Sequence, residues 1–95
     1  MIKIKTNKTA EKDLDNIFNN IAKDKPNSAT EYVAEILNFI LLLKTNPEMG
    51  IDCRKKGLNR DCRVLFYKNY MIQYKIYKNQ ISIKRVINTK QNYKG

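Results

Sequence analysis

The sequence predicts an α+β domain in which an N-terminal helical hairpin packs on one face of a small, mainly antiparallel sheet, in the order β-α-α-β-β-β. Three observations carry this prediction. Residues 63–67, 69–77 and 80–87 are consecutive runs rich in β-branched and aromatic side chains, with the period of two that marks half-buried strands. Two stretches between Thr9 and Lys44 repeat apolar residues at helical spacing, with Pro26 between them. Ile2 and Ile4 alternate with Lys3 and Lys5, giving a short strand that needs a larger sheet to join.

In chain order, the first strand is too short to stand alone and is expected to pair beside a later strand. Thr9 is placed to cap the first helix, with Glu11 near its positive end. Ala10, Leu14, Ile17, Phe18, Ile21 and Ala22 form its apolar face, and Pro26 with its polar neighbours stops it. Ser28 and Glu31 have the spacing of a capping box for the second helix. Its apolar residues are Ala29, Tyr32, Val33, Ile36, Leu37, Ile40, Leu41 and Leu43, and it ends before Pro47. Residues 47–61 read as a loop with Gly50, Gly57 and a basic group of Arg54, Lys55, Lys56 and Arg60.

Within the C-terminal sheet, Tyr70, Ile72, Tyr74 and Ile76 share one face, and Met71, Gln73, Lys75 and Tyr77 the other. The first set is the core face, so Tyr70 and Tyr74 are expected to be buried. Asn69 and the Lys78-Asn79 pair fall where the runs break, and Asn accepts the positive φ of tight turns. Simple alternation would point Arg85 inward beside Ile81 and Ile83. A β-bulge before Val86, or pairing at the sheet's end, is expected to relieve this. The face opposite the helices is expected to be open. Residues 89–95 form a short basic tail with one aromatic, Tyr93.

Composition bounds the chemistry. The 95 residues suit one domain, 1–95, with a single core. A formal net charge of +10, from 19 Lys and Arg against 9 Asp and Glu, suits a polyanion or an acidic protein as partner. Lysines interrupt any secretory apolar segment, and the longest apolar run, 39–43, is too short to span a bilayer. A cytoplasmic protein without membrane contact is expected. There is no histidine, so the usual zinc ligands and the usual catalytic base are both missing. No phosphate-loop pattern occurs, and neither a cofactor nor a metal is expected. Cys53 and Cys62 could be bridged across the loop, but in a reducing compartment free thiols are expected. Lys, Arg and Tyr remain to bind phosphates or stabilise a phosphoryl transition state.

The order of motifs resembles the RelE/ParE superfamily of toxins from bacterial type II toxin–antitoxin modules. The motifs are Asn46-Pro47-x-x-Gly50, Gly57-Leu58, Arg63-x-Leu65, Tyr70-x-Ile72-x-Tyr74 and the run from Ile81 to Ile87 with Arg85-Val86. The resemblance covers nearly the whole chain. It implies a growth-inhibiting toxin neutralised by a cognate antitoxin, whose wrapping segment would be acidic to suit the charge here. ParE-like members inhibit DNA gyrase; RelE-like members cleave mRNA on the ribosome. Met71 stands where many RNA-cleaving members carry arginine, and Asn88 where a histidine is common, so the ParE-like branch is preferred. For gyrase binding the resemblance points to Arg63, Arg85, Asn88 and Lys90. For the alternative nuclease the candidates are Arg54, Lys55, Lys56, Arg60, Arg63, Arg85, Lys90 and Tyr93. A third reading is a non-toxic basic module whose sheet face binds nucleic acid.

Overall fold

A computed structural model describes residues 2–57 and 61–89, the Lys56 side chain excepted. The elements run β1 (Lys3–Thr6), α1 (Lys8–Asp24), α2 (Pro26–Leu41), β2 (Ile51–Asp52), β3 (Arg63–Tyr67), β4 (Tyr70–Ile76) and β5 (Gln80–Asn88). The five strands form one sheet in the order β1-β5-β4-β3-β2. β1 lies parallel to β5, and the other pairings are antiparallel. The expected architecture is therefore present, with one strand added inside the segment read as loop. β2 forms because residues 51 and 52 lie antiparallel to Val64 and Arg63.

The helix starts differ from those the sequence suggested. Asn7, not Thr9, caps α1: its Oδ1 accepts from the Ala10 N–H at 2.9 Å, while its own N–H donates to Ile83 O. Asn caps as well as Thr, and here the backbone anchor to β5 fixes the earlier start. The second helix begins at Pro26, whose missing N–H and fixed φ suit the first helical position. Ser28 thus lies in the first turn instead of capping it. At the β3–β4 turn the positive φ belongs to Lys68 (54°), not Asn69.

The helices cover one face of the sheet. Ala10, Leu14 and Ile17 of α1, with Ile36 and Ile40 of α2 and Leu43 beyond it, pack against Leu65, Tyr70, Ile72, Tyr74, Ile81, Ile83 and Val86. Tyr70 and Tyr74 are buried, as their shared face with Ile72 required. The apolar stripe is wider than the contact it makes: Phe18, Leu37 and Leu41 remain exposed. Among the described residues no helix is long and apolar enough to cross a membrane.

Tyr74 also fixes the turn before β2. Its hydroxyl donates to Pro47 O and accepts from the Gly50 N–H, both at 2.8 Å. A Cβ on Gly50 would meet the Tyr74 hydroxyl at 2.7 Å and Val64 O at 2.9 Å, so only glycine admits this approach. The Asn-Pro-x-x-Gly motif is thus a seat for a buried tyrosine.

The other face is not wholly open. The chain after β2 folds as a 3-10 turn (Cys53–Lys56), and a disulfide joins Cys53 to Cys62. With Val64 and Met71 they form a second, small apolar cluster on the side of the sheet away from the helices. The expectation of free thiols is corrected here. Pairing of Asp52 with Arg63 makes the two cysteines the next residues across the hairpin. Their Cα atoms are 5.3 Å apart and the Cys53 N–H donates to Cys62 O, which is suitable spacing for a bridge.

Candidate functional site

Register decides which candidate side chains can meet. Arg63 pairs with Tyr74 and so shares the helix-covered face; Arg85 pairs with Gln73 and lies on the other. Simple alternation along β5 would point the Arg85 guanidinium inward. The register shift opposite Gln73 and Tyr74 makes Lys84 an extra residue, which turns Arg85 outward and returns Val86 to the core. The expected bulge is present. It separates the two arginines by the thickness of the sheet.

Each arginine is engaged within the fold. The Arg63 guanidinium donates to Gly50 O at 2.8 Å and more weakly to Glu48 O, steadying the turn that Tyr74 also holds. Arg85 grips the Asp13 carboxylate with two bonds, Nε to Oδ2 at 2.8 Å and Nη2 to Oδ1 at 3.2 Å. The Val86 N–H donates to the same carboxylate at 2.9 Å. β1 pairs with β5 only as far as Ile83, so Asp13 caps the edge of β5 beyond that point. No local pattern signals this contact, which spans 72 residues and starts from a polar helix position.

A groove of about 560 Å³ lies on the face away from the helices. Met71 and Ile87 give it an apolar floor, with Gln73, Lys75, Lys84 and Arg85 beside them and Asp61 on the rim. Lys75 pairs with Asp61 at 3.6 Å. Arg54 and Lys55 are exposed on the 3-10 turn that the disulfide ties to this face. Asn88 lies at the other side of β5, in a small cleft with Asp13, Asn16, Asn20 and Tyr70. The Lys56 side chain, Arg60, Lys90 and Tyr93 lie outside the described residues. Of the predicted set, the structure puts Arg85 in the groove with Arg54 and Lys55 nearby, and separates Arg63 and Asn88 from them. Gln73, Lys75 and Lys84 were missed as groove residues. The alternation of β4 already assigned the first two to this face, but the bulge placed Lys84.

Among the described residues, six groups have pKa values displaced by their surroundings. Burial raises the pKa of Tyr70 and Tyr74. Tyr67 is raised by its hydrogen bond to Glu35, and Glu35 is lowered by Tyr67 and then by Lys68. Lys68 is raised by Glu35, and Arg85 by Asp13. Every one of these shifts strengthens the protonation state held at neutral pH. Among the described residues, no three His, Cys, Asp or Glu side chains cluster as a metal site would require.

A family model for the ParE toxin of the type II toxin–antitoxin system, parDE, matches residues 4–93. The chain belongs to the ParE toxin family. A solved structure described as the chromosomal ParDE toxin–antitoxin system from P. aeruginosa contains a similar chain. The TM-score is 0.78 at 20% identity, over 93% of this chain and 96% of that one. At that identity the likeness concerns the fold. No curated protein matches the sequence significantly. The family match selects the ParE-like side of the superfamily resemblance.

Proposed function

We propose that this chain is the growth-inhibiting toxin of a type II toxin–antitoxin pair, acting in the cytoplasm on DNA gyrase. A cognate antitoxin would hold it inactive, wrapping it with an acidic segment that suits the +10 charge. The observation that carries this reading is the ParE family match over residues 4–93. The geometry agrees with inhibition by binding. Arg63 and Arg85 lie on opposite faces, and each is bonded within the fold. Arg85 and Asn88 would then serve to contact the target. Arg63 would act mainly by holding the turn at Gly50.

The test is to induce the chain alone, map RNA 5′ ends, and assay the purified protein on gyrase supercoiling. Intact messages together with inhibited supercoiling are expected. New 5′ ends at codon positions in translated messages, with supercoiling unaffected, would overturn the reading in favour of ribosome-dependent mRNA cleavage. Continued growth with both readouts unchanged would overturn the toxin assignment itself.

A further inference from the structure

The strand register gathers lysines at one end of the face away from the helices. Lys5 pairs with Ser82 of β5, which in turn pairs with Lys75 of β4, so one row crosses three strands. Lys3 lies in the next row, paired with Gln80, and Tyr77 follows it across, its N–H donating to Gln80 O. The bulge residue Lys84 completes the group. Its Nζ lies 3.2 Å from the Tyr77 hydroxyl and 5.5 Å from the ring centre, and the Lys75 Nζ lies 5.2 Å from the same centre. The β4–β5 turn adds Lys78 beside Tyr77. Like charges on neighbouring strands repel, so this arrangement weakens the fold unless an anion is present. Among the described residues, Asp61 is the carboxylate that pairs here, and it pairs with Lys75 alone.

We infer that this end of the sheet binds a single strand of nucleic acid, with Lys3, Lys5, Lys75 and Lys84 taking phosphates and Tyr77 stacking on a base. Lysines two residues apart on one strand are about 7 Å apart, and those two strands apart about 10 Å, giving a grid of charges that follows an extended phosphate backbone. The half-exposed Tyr77 distinguishes this patch from a purely charged one. A ring set among ammonium groups pairs the stacking face and the counter-charge that single-strand binders combine. An acidic peptide would use the charges and leave the ring idle. Lys75 and Lys84 also line the groove that holds Arg85, but the test reads nucleic-acid binding directly and its outcome does not depend on gyrase.

Fluorescence anisotropy of the full chain with a labelled, mixed-sequence single strand of about 12 nucleotides tests this at about 0.1 M salt. Lys75→Gln with Lys84→Gln should weaken binding at least tenfold and flatten the log–log salt slope by about 1.4. Lys12→Gln with Lys23→Gln removes the same charge from exposed positions on α1 and should change affinity less than about twofold. Tyr77→Phe should bind as the parent does, while Tyr77→Ser should lose about fivefold or more. Equal losses in the two lysine pairs would reduce the effect to net charge and overturn the inference. So would the absence of binding, or polyglutamate competing as well as the oligonucleotide with Tyr77→Ser unchanged. All of these positions are on the surface, and circular dichroism checks that each variant keeps the fold.

Discussion

On the helix-covered face of the sheet, Tyr70, Ile72, Tyr74, Ile81, Ile83 and Val86 are all buried against two helices. The opposite face carries lysines, Tyr77 and a groove, and is closed at one end by a small cluster of Cys53, Cys62, Val64 and Met71. The first face is held by apolar burial, which is non-directional and shared among many residues. The second is held by one covalent bond and a few side chains. A sheet so divided can place an unfavourable density of positive charge on one side because the other side supplies the stability. The charged side is accordingly the one that contributes least to folding.

Adjacent residues on β4 provide the largest test of that division. Ile72 is fully buried among the helix-facing residues, whereas Met71 is partly buried against the disulfide cluster. Ile72→Ala should cost about 2–5 kcal/mol by removing methylenes from a packed core. Met71→Ala should cost about 1 kcal/mol or less, since the half-open cluster can collapse around the gap. Urea denaturation midpoints at constant m-value measure both. Similar costs would mean that the second cluster is a core in its own right.

The disulfide should follow at intermediate size. Closing a loop whose ends are nine positions apart stabilises by about 2–3 kcal/mol in the chain-entropy description. Reduction should therefore lower Tm by roughly 10–20 °C. The loss should be local to β2 and the basic 3-10 turn, leaving the near-ultraviolet signal of the buried tyrosines in place below the new Tm. A reductant-insensitive Tm would mean that the bond does not restrict the unfolded chain as the loop-closure description requires.

What the sequence disclosed divides along the same line. Strands β3 to β5 and the helical hairpin were legible because a period of two or of 3.6 is imposed by burial, and burial leaves its pattern in the residues. Even the β5 bulge was legible, since Arg85 would otherwise point into the core. The contacts that arrange the site were not. Asp13 meets Arg85 across 72 positions, and the two cysteines meet only because a two-residue strand puts them opposite each other. Compartment-based reasoning about thiols had no access to that pairing. The helix starts were misplaced because Asn7 and Pro26 compete with Thr9 and Ser28 on near-equal terms; the Asn7 backbone bond to β5 decided the first and proline's fixed φ the second.

The smallest effect lies at the rim between the helix layer and the sheet. Glu35 of α2 accepts from the Tyr67 hydroxyl at 2.8 Å and from Lys68 Nζ at 3.2 Å, tying the helix to the β3–β4 turn. These partners lower the Glu35 pKa below 4.5 in the folded chain, the tyrosine bond contributing most. A carboxylate with a depressed folded pKa binds fewer protons than it does unfolded. Its contribution is complete above the unfolded pKa and lost as pH falls through the folded one. The stability advantage of the parent over Glu35→Gln should therefore be steady at neutral pH, shrink below pH 4.5, and narrow in about 1 M salt because all three groups are solvated. Lys75→Gln, which breaks the pair with Asp61 on the lysine-rich face, should behave differently. Removing one of several neighbouring positive charges offsets the lost pair, so its effect on Tm should be near zero or slightly stabilising. An acid-sensitive loss at Lys75 matching that at Glu35 would mean that the two faces are held by the same electrostatics. The division between a structural and a charged face would then fail.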